Sequence, residues 1–267
     1  MIKADALTKR YGGLTAIRGV SFEIAKSEVV GFLGPNGAGK TTTMRILTGY
    51  LPPSEGRAVV GGFDLALEPN AAKRVTGYLP ESPPLYPEMR VRDYVRYVAT
   101  LHDVPRAERA GKVERALGSC GLDSVADRVI RTLSKGFRQR VGLAQAIVHE
   151  PEVLILDEPT SGLDPIQIVE IRELIRRLSA EEGRTVILST HILAEVEAIC
   201  QRVLLIAYGQ LRVDARLDAL REQGSLEQVF MREVEAAASR DARAAAEATA
   251  AAVAAVASYE HMRALAA

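Results

Sequence analysis

A glycine-rich segment near residue 35 constrains the fold of this chain more than any other feature. It reads Gly34-Pro35-Asn36-Gly37-Ala38-Gly39-Lys40-Thr41 and fits the pattern GxxxxGK[ST] throughout. The apolar run Val29 to Leu33 before it predicts a strand, and Thr42 to Thr48 after it predicts a helix. The glycines permit a tight turn in which backbone N–H groups and the positive helix end surround phosphate oxygens. We therefore predict an α/β chain with a phosphate-binding loop.

The side chains of this loop suit a nucleotide bound with a metal ion. Lys40 brings a mobile positive charge to the β- and γ-phosphate oxygens, and the Thr41 hydroxyl can ligate Mg²⁺. A glycine-rich turn that contains Lys and Thr by accident is the alternative, and the strand and helix on either side disfavour it. The predicted nucleotide contacts are Gly34, Pro35, Asn36, Gly37, Ala38, Gly39, Lys40, Thr41 and Thr42.

Two adjacent acids, Asp157 and Glu158, follow a second apolar run at Val153 to Leu156. Ligand sites in open α/β sheets lie at the carboxyl ends of the strands. Adjacent buried charges are unfavourable without a counter-ion, so a nearby metal would explain the pair. We expect Asp157 to hold Mg²⁺, directly or through water, and Glu158 to accept a proton from the attacking water or to orient it. Acids that merely solubilise an exposed strand end are the alternative.

Further patterns predict how the chain is organised around this core. The runs Thr185 to Ser189 and Val203 to Ile206 are near-continuously apolar, which is typical of a mainly parallel sheet covered on both faces. The half-apolar segments before residue 62 predict an antiparallel, turn-rich sheet. Four prolines between residues 80 and 87 predict a stiff connector, and the patterns after it predict a helical subdomain at about 82–141. We expect one domain at 1–235, followed by an alanine-rich tail at 236–267 that is a loosely attached helix or disordered.

Composition limits the functions that this chain can have. Lys and Arg total 34 against 34 Asp and Glu, so a nucleic-acid binder that works through a basic surface is disfavoured. No apolar run reaches the roughly 20 residues that a membrane-spanning helix needs, and the amino terminus does not read as a signal peptide. Cys120 and Cys200 lack the spacing of a zinc site, and we expect both to be packing residues.

A phosphate loop and an acidic strand would also fit a nucleotide kinase or a GTPase, and other motifs decide between these classes. They are Leu133-Ser134-Lys135-Gly136-Phe137-Arg138-Gln139-Arg140, Ser161-Gly162-Leu163-Asp164, and His191 after the strand at 186–189. Together they resemble the nucleotide-binding domains of ABC (ATP-binding cassette) transporters, in the family's order and spacing, from Met1 to about Arg232. No NKxD segment that would read guanine is present.

This resemblance implies further site residues, and ATP with Mg²⁺ as the ligands. Tyr11 matches the aromatic residue that stacks on adenine, although it also reads as an ordinary turn tyrosine. Ser134 and Gly136 match the signature sequence, which contacts the γ-phosphate of ATP held by a second domain; without the family, Ser134 is a plausible helix N-cap. Asp164 falls in the loop that crosses between the two domains. His191 matches the position that contacts the γ-phosphate and, with Lys40 and Glu158, completes the expected catalytic set.

The chain departs from the family pattern at two places. The signature usually has two glycines followed by Gln, whereas Lys135, Gly136 and Phe137 stand here. Extra positive charge near a γ-phosphate is compatible with binding. The second departure is Glu81, which replaces the Gln that normally reaches Mg²⁺ and the transporter. An ionised carboxylate accepts hydrogen bonds but donates none. We therefore expect Glu81 to lie beside Mg²⁺ in place of the usual Gln, but without the hydrogen-bond donor that an amide supplies.

At the level of the subfamily, the phrases GYLPE, LSKGFRQRVGLAQA, SGLDPIQIVEIR and LSTHILAEVEAIC resemble ATP-binding subunits of ABC-2-type exporters, in wording closest to the gliding-motility-associated and nitrous-oxide-reductase-maturation group. The expected function is ATP hydrolysis that powers a separately encoded permease through ATP-driven dimerisation. The expected partners are that permease and a second ATP-binding subunit, which forms a homodimer with the first, and no nucleic acid. The expected location is the cytoplasm, peripheral on the inner face of the cell membrane. The alternatives are a soluble ABC ATPase that acts on ribosomes or DNA, and a regulatory cassette that does not hydrolyse ATP.

Overall fold

The architecture consists of a central six-stranded sheet, a smaller four-stranded sheet and a group of helices, seen in a computed structural model that describes residues 1–222 and 224–241. The strands are β1 (Ile2–Tyr11), β2 (Leu14–Ile24), β3 (Val29–Leu33), β4 (Glu55–Val60), β5 (Phe63–Asp64), β6 (Thr76–Leu79), β7 (Val153–Asp157), β8 (Thr185–Thr190), β9 (Arg202–Ala207) and β10 (Gln210–Arg216). The helices are α1 (Lys40–Leu47), α2 (Pro69–Arg74), α3 (Val91–Leu101), α4 (Arg106–Ser119), α5 (Lys135–Ile147), α6 (Pro165–Ala180), α7 (Leu193–Ile199), α8 (Leu217–Arg221) and α9 (226–241).

The central sheet has the strand order β10-β9-β3-β8-β7-β6 and is parallel except for β10. Every residue of β3, β7 and β8 is buried, as their uninterrupted apolar sequences predict. Alternate side chains enter two different cores. Ile155 packs with α1 and the small sheet, whereas Leu154 and Leu156 pack with the helices on the opposite face. Because both faces of the sheet are covered, both sets of alternate side chains are buried.

The small sheet is antiparallel, with the order β2-β1-β4-β5, and it confirms the predicted turn-rich sheet. β1 and β2 are longer than their apolar segments indicate and meet in a hairpin at Gly12 and Gly13. Helix α1 lies between the two sheets, where Met44 and Leu47 are fully buried. The phosphate loop therefore begins at the centre of one sheet and ends in a helix that is covered on both sides.

The helical subdomain is confirmed and consists of α3, α4 and α5 with two short 3₁₀ turns. Val91, Val95 and Val98 form the buried stripe of α3 at helical spacing. α4 ends at Ser119, and Gly121 takes a positive φ of 63° just beyond it, as a helix C-terminus favours. Pro83, in the connector before α3, packs where a Cβ on Gly142 of α5 would lie. The connector is thus fastened to the helix that carries the signature residues.

The structure bears on the predictions for the two cysteines and for the carboxyl-terminal region. Cys120 and Cys200 are free and buried, and burial raises the pKa of both thiols. The division at residue 235 stays a prediction. It falls inside α9, where Ala237 is buried against the main core. The remainder of the alanine-rich tail, 242–267, lies outside the described residues. Among the residues described, no helix is both long and apolar enough to cross a membrane.

Candidate nucleotide-binding site

Strand order brings the separate motifs of the sequence to one edge of the central sheet. β3, β8 and β7 are parallel neighbours, so the phosphate loop, His191 and the acids Asp157 and Glu158 all follow carboxyl ends that lie side by side. Asp157 is directly opposite Ser189 in the register of β7 and β8. Ligand sites of parallel α/β sheets form at such an edge.

The phosphate loop depends on glycine at two positions for two different reasons. At Gly34 a Cβ would lie 2.4 Å from the backbone oxygen of Ile206, so only hydrogen fits between the loop and β9. Gly39 has a φ of 108° and precedes α1, and a side chain there would be strained as well as blocked by Ile17. These constraints let the loop turn tightly into α1.

Lys40 is buried, and its ammonium is held by oxygen atoms on both sides of the site. It donates hydrogen bonds to the carbonyl oxygens of Gly34 at 2.8 Å and Pro35 at 3.3 Å. It also lies 3.4 Å from a carboxylate oxygen of Glu158. The ammonium is therefore positioned by the loop itself and compensates the charge of the buried carboxylate.

Glu158 and His191 form a second pair next to Lys40. The His191 ring nitrogen Nδ1 is 3.0 Å from one carboxylate oxygen of Glu158 and 3.1 Å from the other, and 48% of the His191 side chain is exposed. Glu158 has a positive φ of 49°, which is rare for a residue other than glycine. Its N–H donates to the backbone oxygen and the hydroxyl of Ser189, both at 3.1 Å. The backbone of Glu158 is thus fixed by the strand that leads to His191.

Asp157 is the deepest charged group of the site. One oxygen accepts hydrogen bonds from the Ser189 hydroxyl and, at 3.4 Å, from the Thr41 hydroxyl. The other oxygen, Oδ2, is buried and has no hydrogen-bond partner among the described residues. Burial raises the pKa of Asp157, and the charges of Glu158 and Glu81 raise it further. A bound cation would stabilise the ionised Asp157 carboxylate, because its buried Oδ2 has no other partner among the described residues.

The residues present fit a magnesium ion. Asp157 offers an unpaired buried oxygen and Thr41 a hydroxyl beside it, which are the hard oxygen ligands that Mg²⁺ takes together with substrate phosphates. The described residues contain no group of three or more His, Cys, Asp and Glu side chains that could hold a metal ion. Glu81 lies on the exposed loop after β6 and lines a cavity of about 310 Å³ together with Lys135.

The phosphate loop at 34–42, Asp157, Glu158 and His191 form one group, which we call the phosphate-loop cluster. Three other predicted residues lie elsewhere in the molecule. Ser134 is the N-cap of α5 and accepts a hydrogen bond from the N–H of Phe137 at 3.4 Å. Asp164 is the N-cap of α6 and accepts one from Gln167 at 2.9 Å. Gly136 is buried beneath the Gln167 side chain, and a Cβ there would lie 2.3 Å from its amide oxygen. The signature segment and the Asp164 loop are therefore packed against each other as a second surface.

Tyr11 ends β1 on the antiparallel sheet and is 46% exposed. The ammonium of Lys9 lies 5.5 Å from the centre of its ring and also donates to the carbonyl oxygen of Pro52 at 2.7 Å. One face of the ring is thus covered by a fixed cation. This arrangement leaves an accessible aromatic surface, as a base-stacking residue requires.

Sequence reasoning missed several residues that hold the site together. The Ser189 hydroxyl donates a hydrogen bond to the Asp157 carboxylate and accepts one from the backbone N–H of Glu158. Glu195 of α7 accepts hydrogen bonds from Thr160, in the loop after β7, and from Thr190, the last residue of β8. The only signal for Glu195 in the sequence is a charged residue next to the buried positions Val196 and Ile199. Two of these contacts give no sequence pattern because the partners lie far apart in the chain, Ser189 and Asp157 by 32 positions and Thr160 and Glu195 by 35.

Fold and site together define a P-loop nucleotide-binding domain: a glycine-rich loop leads from a central parallel strand into a helix, and an acidic pair ends a nearby strand. Residues 17–161, more than half of the chain, match the family model described as ABC transporter. The chain belongs to this family and is an ATP-binding subunit of an ABC transporter, with ATP hydrolysis as its activity. Residues 126–197 also match the model described as AAA domain, putative AbiEii toxin, Type IV TA system, a stretch that excludes the phosphate loop.

Individual proteins agree with this assignment. The linearmycin resistance ATP-binding protein LnrL of Bacillus subtilis (strain 168) is 36% identical over 211 residues, which make up 79% of this chain and 68% of that protein. A solved ATP-binding subunit of an ABC transporter has a TM-score of 0.80 at 30% identity, covering 87% of this chain and 99% of that chain. The ATP-binding cassette MJ0796, solved as a dimer in a post-hydrolysis state bound to ADP and Pi, has a TM-score of 0.74 at 25% identity, covering 81% and 99%.

Proposed function

We propose that this subunit hydrolyses ATP with Mg²⁺ to power an ABC-2-type exporter whose membrane-spanning permease is a separate polypeptide. The observation that carries the proposal is an aromatic cleft of about 400 Å³ between the β6 edge of the central sheet and the helical subdomain. Two residues that line the cleft, Tyr78 and Pro84, flank Glu81 in sequence. The charge of Glu81 in turn raises the pKa of Asp157 in the nucleotide site. The tyrosines that line it are Tyr50, Tyr78, Tyr86, Tyr94 and Tyr97.

The cleft has the chemistry of a surface that binds an apolar helix. Burial raises the pKa of Tyr78 and Tyr94 to about 12, and it lowers the pKa of His149 to about 3. These groups are therefore uncharged near neutral pH. Leu101 at the rim is 62% exposed and extends the apolar surface of the cleft towards solvent. An amphipathic segment of the permease would cover this surface.

The residues of the phosphate-loop cluster divide the chemistry among themselves. The backbone N–H groups from Asn36 to Thr42 and the Lys40 ammonium bind the phosphates. Mg²⁺, held by Thr41 and Asp157, would neutralise charge on the phosphate oxygens. Glu158 accepts a proton from the attacking water or orients it, and His191, hydrogen-bonded to Glu158, contacts the γ-phosphate. Each of these roles is part of the proposal.

Two subunits would complete each nucleotide site. In this proposal ATP lies between the phosphate-loop cluster and Tyr11 of one subunit, and the Ser134, Gly136 and Asp164 surface of the other. The packing of these last three residues away from the phosphate loop supports that division of labour. ATP then holds the dimer together through γ-phosphate contacts that ADP lacks, and hydrolysis releases it.

The export assignment rests on motif wording and on one relative. The phrases around residues 77–81, 133–146, 161–172 and 188–200 resemble ABC-2-type subunits. LnrL is named for resistance to linearmycin, and removal of a compound from the cell is one way to resist it. An exporter subunit of this type would work in the cytoplasm against the inner face of the membrane.

Substitutions in the cleft test the permease partnership. The double variant Tyr97→Gln with Leu101→Gln should keep the ATPase rate of the isolated subunit, because neither residue belongs to the phosphate-loop cluster. It should lose co-purification with the permease and permease-stimulated hydrolysis. Leu67→Gln is the matched control, since Leu67 is 77% exposed and lies outside the cleft. Permease binding that persists in the double variant, or co-sedimentation of the wild-type chain with ribosomes, would contradict the proposal.

A further inference from the structure

A carboxylate that the catalytic scheme does not use lies fully buried behind the site. Glu195, on α7, is 1% exposed. Its helix neighbours Val196 and Ile199 face the apolar core, so a charge at this position is unfavourable unless hydrogen bonds compensate it.

The two oxygens of this carboxylate reach two different segments of the site, the loop after β7 and the end of β8. Oε1 accepts a hydrogen bond from the hydroxyl of Thr160, two residues after Glu158. Oε2 accepts one, at 2.7 Å, from the hydroxyl of Thr190, the residue before His191. The Thr190 hydroxyl itself accepts from the N–H of Ile192 at 3.1 Å, so its own proton points to Glu195. Both segments are thus joined to α7 through one side chain.

We propose that Glu195 is a positioning residue for ATP hydrolysis, which holds the Glu158 carboxylate against the His191 imidazole. The inference rests on the roles proposed above for Glu158 and His191. The φ of 49° at Glu158 supports it, because a left-handed conformation at a residue other than glycine persists only where surrounding contacts fix it. Thr160 lies just beyond that strained residue, and the other end of the link adjoins His191.

Variants that remove one hydroxyl at a time test this role without deleting the buried charge. Thr160→Val and Thr190→Val should each lower kcat at least tenfold and leave the Kd for ATP within about twofold, because the phosphate loop is untouched. Glu195→Gln, which still offers one acceptor oxygen, should retain more activity than Glu195→Ala. Thr185→Val is the matched control: Thr185 is a buried threonine of the same strand, and its hydroxyl also accepts a backbone N–H, from Ser27 at 3.0 Å. It should keep the wild-type kcat.

A spectroscopic measurement reports the position of His191 independently of hydrolysis. The imidazole ¹⁵N signals of His191 should shift in Thr160→Val and Thr190→Val as the contact with Glu158 loosens, and they should stay unchanged in Thr185→Val. Folded Thr160→Val and Thr190→Val proteins with wild-type kcat and unchanged His191 signals would overturn the proposal. Glu158→Gln and His191→Ala are measured alongside. If they lose activity while the threonine variants do not, only the role of Glu195 fails; if they stay active, the proposed roles of Glu158 and His191 fail.

Discussion

At the scale of single residues, the site works by placing opposite charges at short distances in a buried setting. Lys40 compensates Glu158, whereas the free oxygen of Asp157 has no such partner among the described side chains. These two carboxylates are adjacent in sequence, but their different surroundings prepare them for different roles.

The unfavourable ionisation of Asp157 gives a prediction about stability and pH. Its pKa is raised in the folded protein, so the folded state binds more protons than the unfolded state between the two pKa values. Stability therefore falls as pH rises through this window, and at neutral pH the ionised group destabilises the fold. Asp157→Asn should raise the Tm at neutral pH without nucleotide, and should lose Mg²⁺-dependent hydrolysis.

Asp64 provides a control of opposite sign. The N–H of Ala66 is the main cause that lowers its pKa, and the nearby Arg57 also contributes. This carboxylate therefore stabilises the fold above its unfolded pKa, and that stabilisation is lost as pH falls through its folded pKa. Asp64→Asn should lower the Tm at neutral pH. Thermal scans in which Asp157→Asn is also destabilised would contradict the argument.

Tyr11 is expected to bind the adenine ring. Base stacking on an aromatic side chain contributes about 1–3 kcal/mol, so Tyr11→Ala should raise the Kd for ATP by roughly 5- to 150-fold. Tyr11→Phe keeps the ring and should bind normally. Tyr50→Ala removes another exposed tyrosine that is paired with a cation, Arg45, and should leave the Kd unchanged. Equilibrium titration with a fluorescent ATP analogue measures all three, and equal affinities for Tyr11→Ala and wild type would exclude stacking.

At the scale of helices and strands, apolar runs predicted β3, β7, β8 and β9, and β3 spans the same residues, 29–33, in sequence and structure. The fifth parallel strand, β6, was not predicted, because its four residues, TGYL, form no apolar run. Single-sequence patterns could not give the strand order, because that depends on which strands pair across the sheet. The short elements β5 and α2 also gave no usable periodicity. Sequence motifs predicted the residues of the candidate site, whereas the contacts of Ser189 and Glu195 are created only when the chain folds.

The start of α5 allows its structural and catalytic roles to be separated. Ser134 caps the helix, and Ser134→Ala should lower the free energy of unfolding by about 0.5–2 kcal/mol. Ser134→Asp caps equally well and suits the positive helix end, so its stability should match the wild type. If Ser134 faces the γ-phosphate of a second subunit, the added negative charge should lower kcat at least tenfold. Denaturation curves and phosphate release measure both, and a fully active Ser134→Asp protein would argue against that contact.

At the scale of the whole molecule, two separate surfaces of one chain carry the residues that we propose to form complementary parts of a shared nucleotide site. The phosphate-loop cluster lies at the carboxyl edge of the central sheet. The second surface, formed by Ser134, Gly136 and Asp164, lies at the starts of α5 and α6. Helix α1, covered by both sheets, anchors the first surface, and the connector packed on Gly142 joins the second to the cleft.

Assembly should therefore depend on an intact γ-phosphate. Glu158→Gln should reduce hydrolysis by about 10²- to 10⁴-fold. It should form dimers in sedimentation experiments with ATP, but not with ADP. The same variant with Ser134→Asp should stay monomeric in both nucleotides. Monomers of Glu158→Gln at saturating ATP would contradict the shared-site arrangement.

The contact between Lys40 and Glu158 has a consequence for substrate affinity. The γ-phosphate and the Glu158 carboxylate are rival anions for a single ammonium group, and they repel each other once both are present. Glu158→Gln removes both the competing negative charge and its repulsion of the γ-phosphate. Glu158→Gln, which should hydrolyse ATP most slowly, should consequently bind ATP most tightly. In the wild-type protein, hydrolysis should be favoured in part because it removes the repulsion between the γ-phosphate and the Glu158 carboxylate.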